Sequence, residues 1–179
     1  MRGYVAWMGD DDHGRQDPPL EGDERATLLG FLDYQRATLA WKCSGLTDEQ
    51  LRAALPPSPM TLGGMMKHLA VVEDWWFTEV VGEQPAPEPW ADVDWEADRD
   101  WEWHTAADDS GDELREIWEA SVERSRKVMD AVTDLGSAHP ARRERMSVRW
   151  VLAHMIEEYA RHNGHADLIR ESIDGRTGE

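Results

Sequence analysis

Trp150-Val151-Leu152-Ala153-His154-Met155-Ile156-Glu157-Glu158-Tyr159-Ala160-Arg161-His162-Asn163-Gly164-His165-Ala166-Asp167 is the stretch that decides the fold. At ~100° per residue, with Met155 as the reference, Val148, Val151, Leu152, Tyr159, Ala166 and Ile169 lie within about 60° of it. A stripe this long, opened by Ser147 as a cap and reaching about Ile173, predicts a long amphipathic helix. His162 falls inside the apolar arc, near −20° at ~100° per residue, and Glu158 on its edge, near −60°. A carboxylate and an imidazole facing a core need a partner, because an unpaired buried charge is strongly unfavourable. Glu158 and His162 are four residues apart, so their side chains start about 5–6 Å apart and can reach one ion.

Other pairings on this helix are open but poorer. His154 and Glu158 share the same spacing, but His154 lies about 100° from the face centre. His165 is two turns from Glu158, ~10 Å along the axis, and reads as a flank or outer partner. A solvent-facing Glu-His ion pair is the plain alternative. Glu157 points about 160° away from Met155, which disfavours it as a general base, whereas Glu73 stays open in that role.

Working outward, the pattern predicts an all-α protein with three further helices. The first runs from about Asp23, a cap, to Ser44, and Gly45 stops it. Thr47-Asp48-Glu49-Gln50 opens a short helical turn that Pro56 to Pro59 ends. The second long helix is capped by Thr61 and reaches Val81, with Leu62, Met65, Leu69, Val72, Trp76 and Val80 on one face and Gly82 as its stop. The third runs from Asp112 to Leu135 and ends at Gly136. No strand alternation stands out. Between the second and third helices, residues 83–110 carry prolines, then Trp90, Trp95, Trp101 and Trp103 among acids, without helical period. This long connection reads as a crossover whose tryptophans pack on the bundle, or as a lid. Four helices with one long crossover suggest a four-helix bundle over residues 21–175, preceded by an N-terminal arm, 1–20.

The 179 residues carry a formal net charge of −18, which argues against nucleic acid and anionic membranes as partners. No run is long and apolar enough for a membrane span and no signal core is seen, so a cytoplasmic location is expected. Arg outnumbers Lys sixteen to three, as in a GC-rich genome. Cys43 is the only cysteine, so it forms no internal disulfide, and it reads as a buried structural thiol. The remaining Asp and Glu residues read as solvated surface. A third ligand for Glu158 and His162 would come from a facing helix. His68, beside Met65 and Val72 and one turn after Gly63-Gly64, is available there, although a histidine in that place is more often structural. Two histidines and a glutamate with an open position make the donor pattern of a catalytic zinc site.

The run Met60-Thr61-Leu62-Gly63-Gly64-Met65-Met66-Lys67-His68-Leu69, with Glu73-Asp74-Trp75-Trp76-Phe77, resembles the second helix of DinB-like proteins. Trp150 to Asp167 resembles their last helix, and Gly22 to Cys43 the first helix of their actinobacterial branch. The resemblance implies a four-helix bundle with a long crossover and a metal held by His68, Glu158 and His162. Glu at the first of the two last-helix positions resembles the mycothiol-dependent maleylpyruvate isomerase and the mycothiol S-transferases. The isomerase has an additional C-terminal domain for which this chain has no room, so the expectation is an S-transferase. The implied reaction is detoxification: a metal-activated small thiol, mycothiol, attacks an electrophile, with no catalytic residue beyond the ligands. Zinc is the expected metal, with nickel, iron or manganese as alternatives. Other readings are a non-catalytic metal-binding stress protein and a metal-dependent hydrolase. The family and the tryptophans, taken as exposed, are compatible with a homodimer.

Overall fold

The structure, a computed structural model, describes residues 14–141 and 143–177. Helix α1 (Glu24–Cys43) opens at Asp23, whose carboxylate accepts the Ala26 N–H. The short α2 (Asp48–Leu51) starts with a reciprocal capping box between Thr47 and Gln50. Helix α3 (Leu62–Glu73) is capped by Thr61 and continues directly as a π-helical segment, Asp74–Val81. A short α4 (Trp101–Thr105) lies in the crossover, and α5 (Gly111–Ala131) follows a second capping box between Ser110 and Glu113. Strands β1 (Ala138–Ala141) and β2 (Glu144–Ser147) pair antiparallel, Ala138 opposite Ser147, before α6 (Val148–Asp174), which Ser147 caps. The protein is therefore mostly helical. Helix α1 lies against α6, α3 against α5, and α3 also touches α1 and α6. No helix among the described residues is long and apolar enough to cross a membrane.

Several boundaries differ from the sequence pattern. Helix α5 stops at Ala131, short of Leu135, because Val132 turns extended and the Arg25 guanidinium takes up the Met129 and Val132 carbonyls. Gly136 belongs to the turn beyond, donating its N–H to Asp134. The hairpin has no alternating, β-branched signature, so periodicity alone misses it. Gly82 is not a left-handed stop, since its φ is −78°. It is required instead by closeness, because a Cβ there would sit 2.7 Å from the Thr78 carbonyl oxygen. Residues 1–13 of the expected arm lie outside the described residues. The rest of it lies on α1: buried Arg15 donates to Thr38 at 3.0 Å and stacks over Tyr34 and Trp41.

The apolar arc of α6 is buried as the pattern demands, with Val148, Val151, Leu152, Met155, Tyr159 and Ala166 fully enclosed. Within this core lies a polar network that joins the four long helices. Arg36 of α1 grips the Glu73 carboxylate with two hydrogen bonds of 2.7 Å. Tyr159 of α6 donates to the same carboxylate at 2.8 Å, and Trp118 of α5 donates to the Tyr159 oxygen at 2.9 Å. Glu73 and Tyr159 are completely buried, so their polar atoms must find partners inside the protein. Burial and the neighbouring carboxylate push the Tyr159 phenol up, keeping it a neutral donor.

Asp74, the next residue, serves the other side. It accepts from Arg124 and Ser121 of α5, from Thr78, and from the Trp90 indole of the crossover at 2.8 Å. Lys67 seats the crossover's far end through Thr105 at 2.9 Å and Asp109 at 2.5 Å, with its ammonium over the Trp101 ring. Trp90 is buried, and Trp95, Trp101 and Trp103 are partly buried against the core. The crossover's tryptophans thus pack inward, whereas Trp150 of α6 is exposed.

Arg36→Leu should destabilise the protein by about 3–5 kcal/mol in urea unfolding, because it strands a buried carboxylate. Adding Glu73→Leu should recover part of that loss, and a double variant no more stable than the single one would contradict the pairing. For Asp74, burial raises the carboxyl pKa, but the donors from Arg124, Ser121 and Trp90 more than offset it and hold it below the ordinary range. Its contribution is therefore present above about pH 4 and lost as pH falls through the lower folded-state value. Asp74→Asn should flatten that acid limb when urea midpoints are compared across pH.

Candidate functional site

Two buried contacts set the rotation of α6 around Glu158 and His162. Tyr159, beside Glu158, is tied to Glu73 of α3. Asn163, beside His162, donates to the backbone carbonyl of Gln35 at 2.9 Å and to its side-chain oxygen at 2.7 Å. With α6 held this way, Glu158 and His162 face α3 one turn apart. His68 meets them from α3, whose start is fixed by Thr61 accepting the Gly64 N–H.

The three side chains converge. Glu158 Oε1 lies 3.4 Å from His68 Nε2 and 3.4 Å from His162 Nε2. The imidazole centroids of His68 and His162 are 5.0 Å apart. One ligand atom from each residue falls within 4.8 Å of the other two, the one such group of His, Cys, Asp and Glu found among the described residues. The side chains of His68 and Glu158 retain 20% and 21% exposure, so the cluster is not sealed from solvent. Hydrogen bonds from His162 and His68 hold the Glu158 carboxyl well below the usual range, against the opposing effect of burial. Burial opposes charge on His68, but the Glu102 and Glu158 carboxylates outweigh it and raise its pKa.

Glu102 is the residue that the sequence pattern hid. Its Oε1 lies 2.8 Å from His68 Nδ1, the nitrogen turned away from Glu158. It is only 5% exposed, and its second oxygen is buried without a partner. A carboxylate on the far nitrogen of a ligating imidazole fixes its tautomer and ring angle. Trp103, one residue on, stacks on His68 at 4.9 Å and 29°. Gly64 gives that indole its place, since a Cβ there would lie 2.7 Å from the Trp103 ring. The glycine pair therefore admits a crossover ring at Gly64, while Gly63 lies against Leu114 of α5 and Leu51. Expecting the acids outside the ligand set to be solvated surface fails at Glu73, Asp74 and Glu102, all of them buried. The only sequence signal for Glu102 is an acid set between Trp101 and Trp103.

The competing residues lie elsewhere. His154 stacks on Trp150 and meets Trp76 edge-on. His165 touches the His162 ring from 5.9 Å and does not join the cluster. Glu157 pairs with Arg161 on the surface, and Glu73 is consumed by Arg36 and Tyr159. Cys43 is 2% exposed and burial pushes its thiol up to about 12, so it is inert near neutral pH.

No curated protein matches the chain. A family model described as mycothiol-S-transferase matches residues 27–175, a span that runs from within the first turn of α1 to the end of α6 and takes in all three clustered side chains together with Glu102. The chain belongs to the mycothiol S-transferase family.

Proposed function

We propose that the protein is a metal-dependent S-transferase of DinB-like four-helix-bundle type, which activates a small thiol, mycothiol, for attack on an electrophile in detoxification. The observation that carries this reading is the convergence of His68 Nε2 and His162 Nε2 on one Glu158 oxygen, with Glu102 behind His68. Two neutral imidazoles and a carboxylate suit a borderline divalent cation such as zinc, and three protein ligands leave room for a thiol. When bound, such a cation supplies the positive charge that stabilises a thiolate near neutral pH.

The protein's own residues do the rest. Glu102 keeps the Nδ1 proton of His68 and so presents Nε2 as the free donor. Trp103 covers the His68 ring and shields that side from water. Tyr159 and Asn163 hold Glu158 and His162 on the face that meets α3. Cys43, buried and protonated, does not compete as nucleophile, so the thiol comes from a cosubstrate.

Elemental analysis should find stoichiometric metal in the wild type and none in Glu158→Ala, which should also lose mycothiol-dependent turnover of monobromobimane. Full metal content in that variant would refute the ligand assignment. Metal retained by the wild type without thiol-dependent turnover would favour the non-catalytic binding role. Glu102→Gln should keep the fold but weaken zinc binding about 10–100-fold in a chelator competition. Because the His68 pKa is raised, protons should begin to displace zinc at a pH above the ordinary imidazole value of about 6.5, and affinity should fall steadily below it.

A further inference from the structure

Two rows of side chains meet where α3 and α6 touch. His68, Val72 and Trp76 follow one another at intervals of four residues along α3 and its π-helical extension, and Trp150, His154, Glu158 and His162 do so along α6. The contacts fix how the rows lie. His68 reaches Glu158 and His162 at one end, whereas Trp76 meets His154 and Trp150 at the other. The helices are therefore antiparallel here, and the His68–Glu158–His162 cluster and a group of three rings occupy consecutive stretches of one seam.

The ring group is held in place from below and open above. Trp150 lies nearly flat on His154, with centroids 4.9 Å apart and planes at 16°. Trp76 stands edge-on to His154 at 5.1 Å and is tilted against Trp150 at 5.2 Å. Trp76 packs on the core, as does Val72 between it and His68. Trp150 is 44% exposed, so the part of its ring that His154 does not cover is left to water at the edge of the seam.

Distance decides what can use this surface. Trp150 precedes Glu158 by two i,i+4 steps, ~12 Å along the axis at ~1.5 Å per residue, and His154 lies half as far. An electrophile must bring its reacting carbon to about 3–3.5 Å from the sulfur, so a small one placed at the cluster does not reach Trp150. The non-reacting body of a long thiol does. Mycothiol has such a body, a cysteinyl arm that ends in saturated, hydroxylated rings. The C–H faces of these rings pack on indole, and their hydroxyls take donors and acceptors at the rim. Glu157 and Arg161, paired at 2.8 Å on the solvent flank of α6, supply both.

We propose that Trp150, His154 and Trp76 form the subsite for the ring body of the thiol, so that a thiol with its sulfur at the His68–Glu158–His162 cluster lies along Val72 and ends on Trp150. The assignment rests on the transferase reading above. It makes these three residues the source of thiol selection. Contacts gathered far from the sulfur favour mycothiol over a short thiol that carries the same reacting group.

Equilibrium dialysis of the zinc-loaded full chain against S-methylmycothiol, whose sulfur has no proton to lose, tests the subsite without catalysis. Trp150→Ala should weaken its binding about tenfold, and Trp150→Phe, which keeps an aromatic face, should recover most of the loss. His154→Ala, which removes the ring beneath Trp150, should act in the same direction and serves if the first variant does not fold. Phe31→Ala, which removes another exposed aromatic from α1, should change nothing. With monobromobimane as electrophile, Trp150→Ala should raise KM for mycothiol about tenfold and leave KM for N-acetylcysteine and for monobromobimane unchanged. Folded Trp150→Ala protein that binds S-methylmycothiol like the wild type would overturn the proposal, as would an equal rise in KM for N-acetylcysteine. A Trp150→Ala variant altered only in its sedimentation coefficient would also overturn it, and would give the surface to a second copy of the chain. If the wild type turns over no thiol while Trp150→Ala still weakens S-methylmycothiol, the subsite stands and the transferase reading falls.

Discussion

The carboxylate of Glu73, shared between Arg36 and Tyr159 and backed by Trp118, is the contact on which the remaining geometry depends. A buried charge tolerates few arrangements, because every unmatched lone pair in a low-dielectric interior is strongly unfavourable. Apolar packing alone lets helices slide and rotate by small amounts at little cost. The Glu73 network removes that latitude by demanding that one atom group from each long helix meet at one place. Once Tyr159 is held there, the preceding residue has no freedom left, and Glu158 faces His68.

The same constraint reaches the crossover by a second route. Glu73 and Asp74 are neighbours in sequence, yet one binds α1 and α6 while the other binds α5 and Trp90. Asp74 thereby seats the start of residues 83–110, and Lys67 seats their end. Between these anchors α4 presents Glu102 and Trp103 to His68. The crossover is thus both packing and part of the cluster's surroundings: Trp103 covers the His68 ring and Glu102 orients it.

What was legible in the sequence follows period and capping chemistry. The stripe on α6 is visible because core and solvent faces repeat every turn, and the ends of α1, α3 and α6 are marked by Asp23, Thr61 and Ser147. Glu158 and His162 stand out because they break that stripe. His68 is ambiguous by position and becomes convincing only through its family motif. Arg36, Glu73, Asp74 and Glu102 are invisible to the same reasoning, since a charged residue is normally solvent-facing and its burial depends on partners up to 86 residues away. The end of α5 escapes for a related reason: Arg25, far off in the chain, caps it.

The π-helical turns from Asp74 to Val81 carry a consequence for how the family can vary in length. A helix that closes i→i+5 bonds takes in a residue that a tighter α-turn would exclude. Phe77, Val80 and Val81 lie in the core within this widening, and Gly82 closes it with its N–H on the Phe77 carbonyl at 2.8 Å. A segment of this kind can take up a single-residue insertion or deletion without breaking the helix. Losing one residue here would restore the tighter turn and rotate Phe77 and its followers against α5, while His68 and Glu73, upstream, would keep their places. A relative one residue shorter in this region should therefore keep its His-Glu-His cluster and repack the far end of this helix.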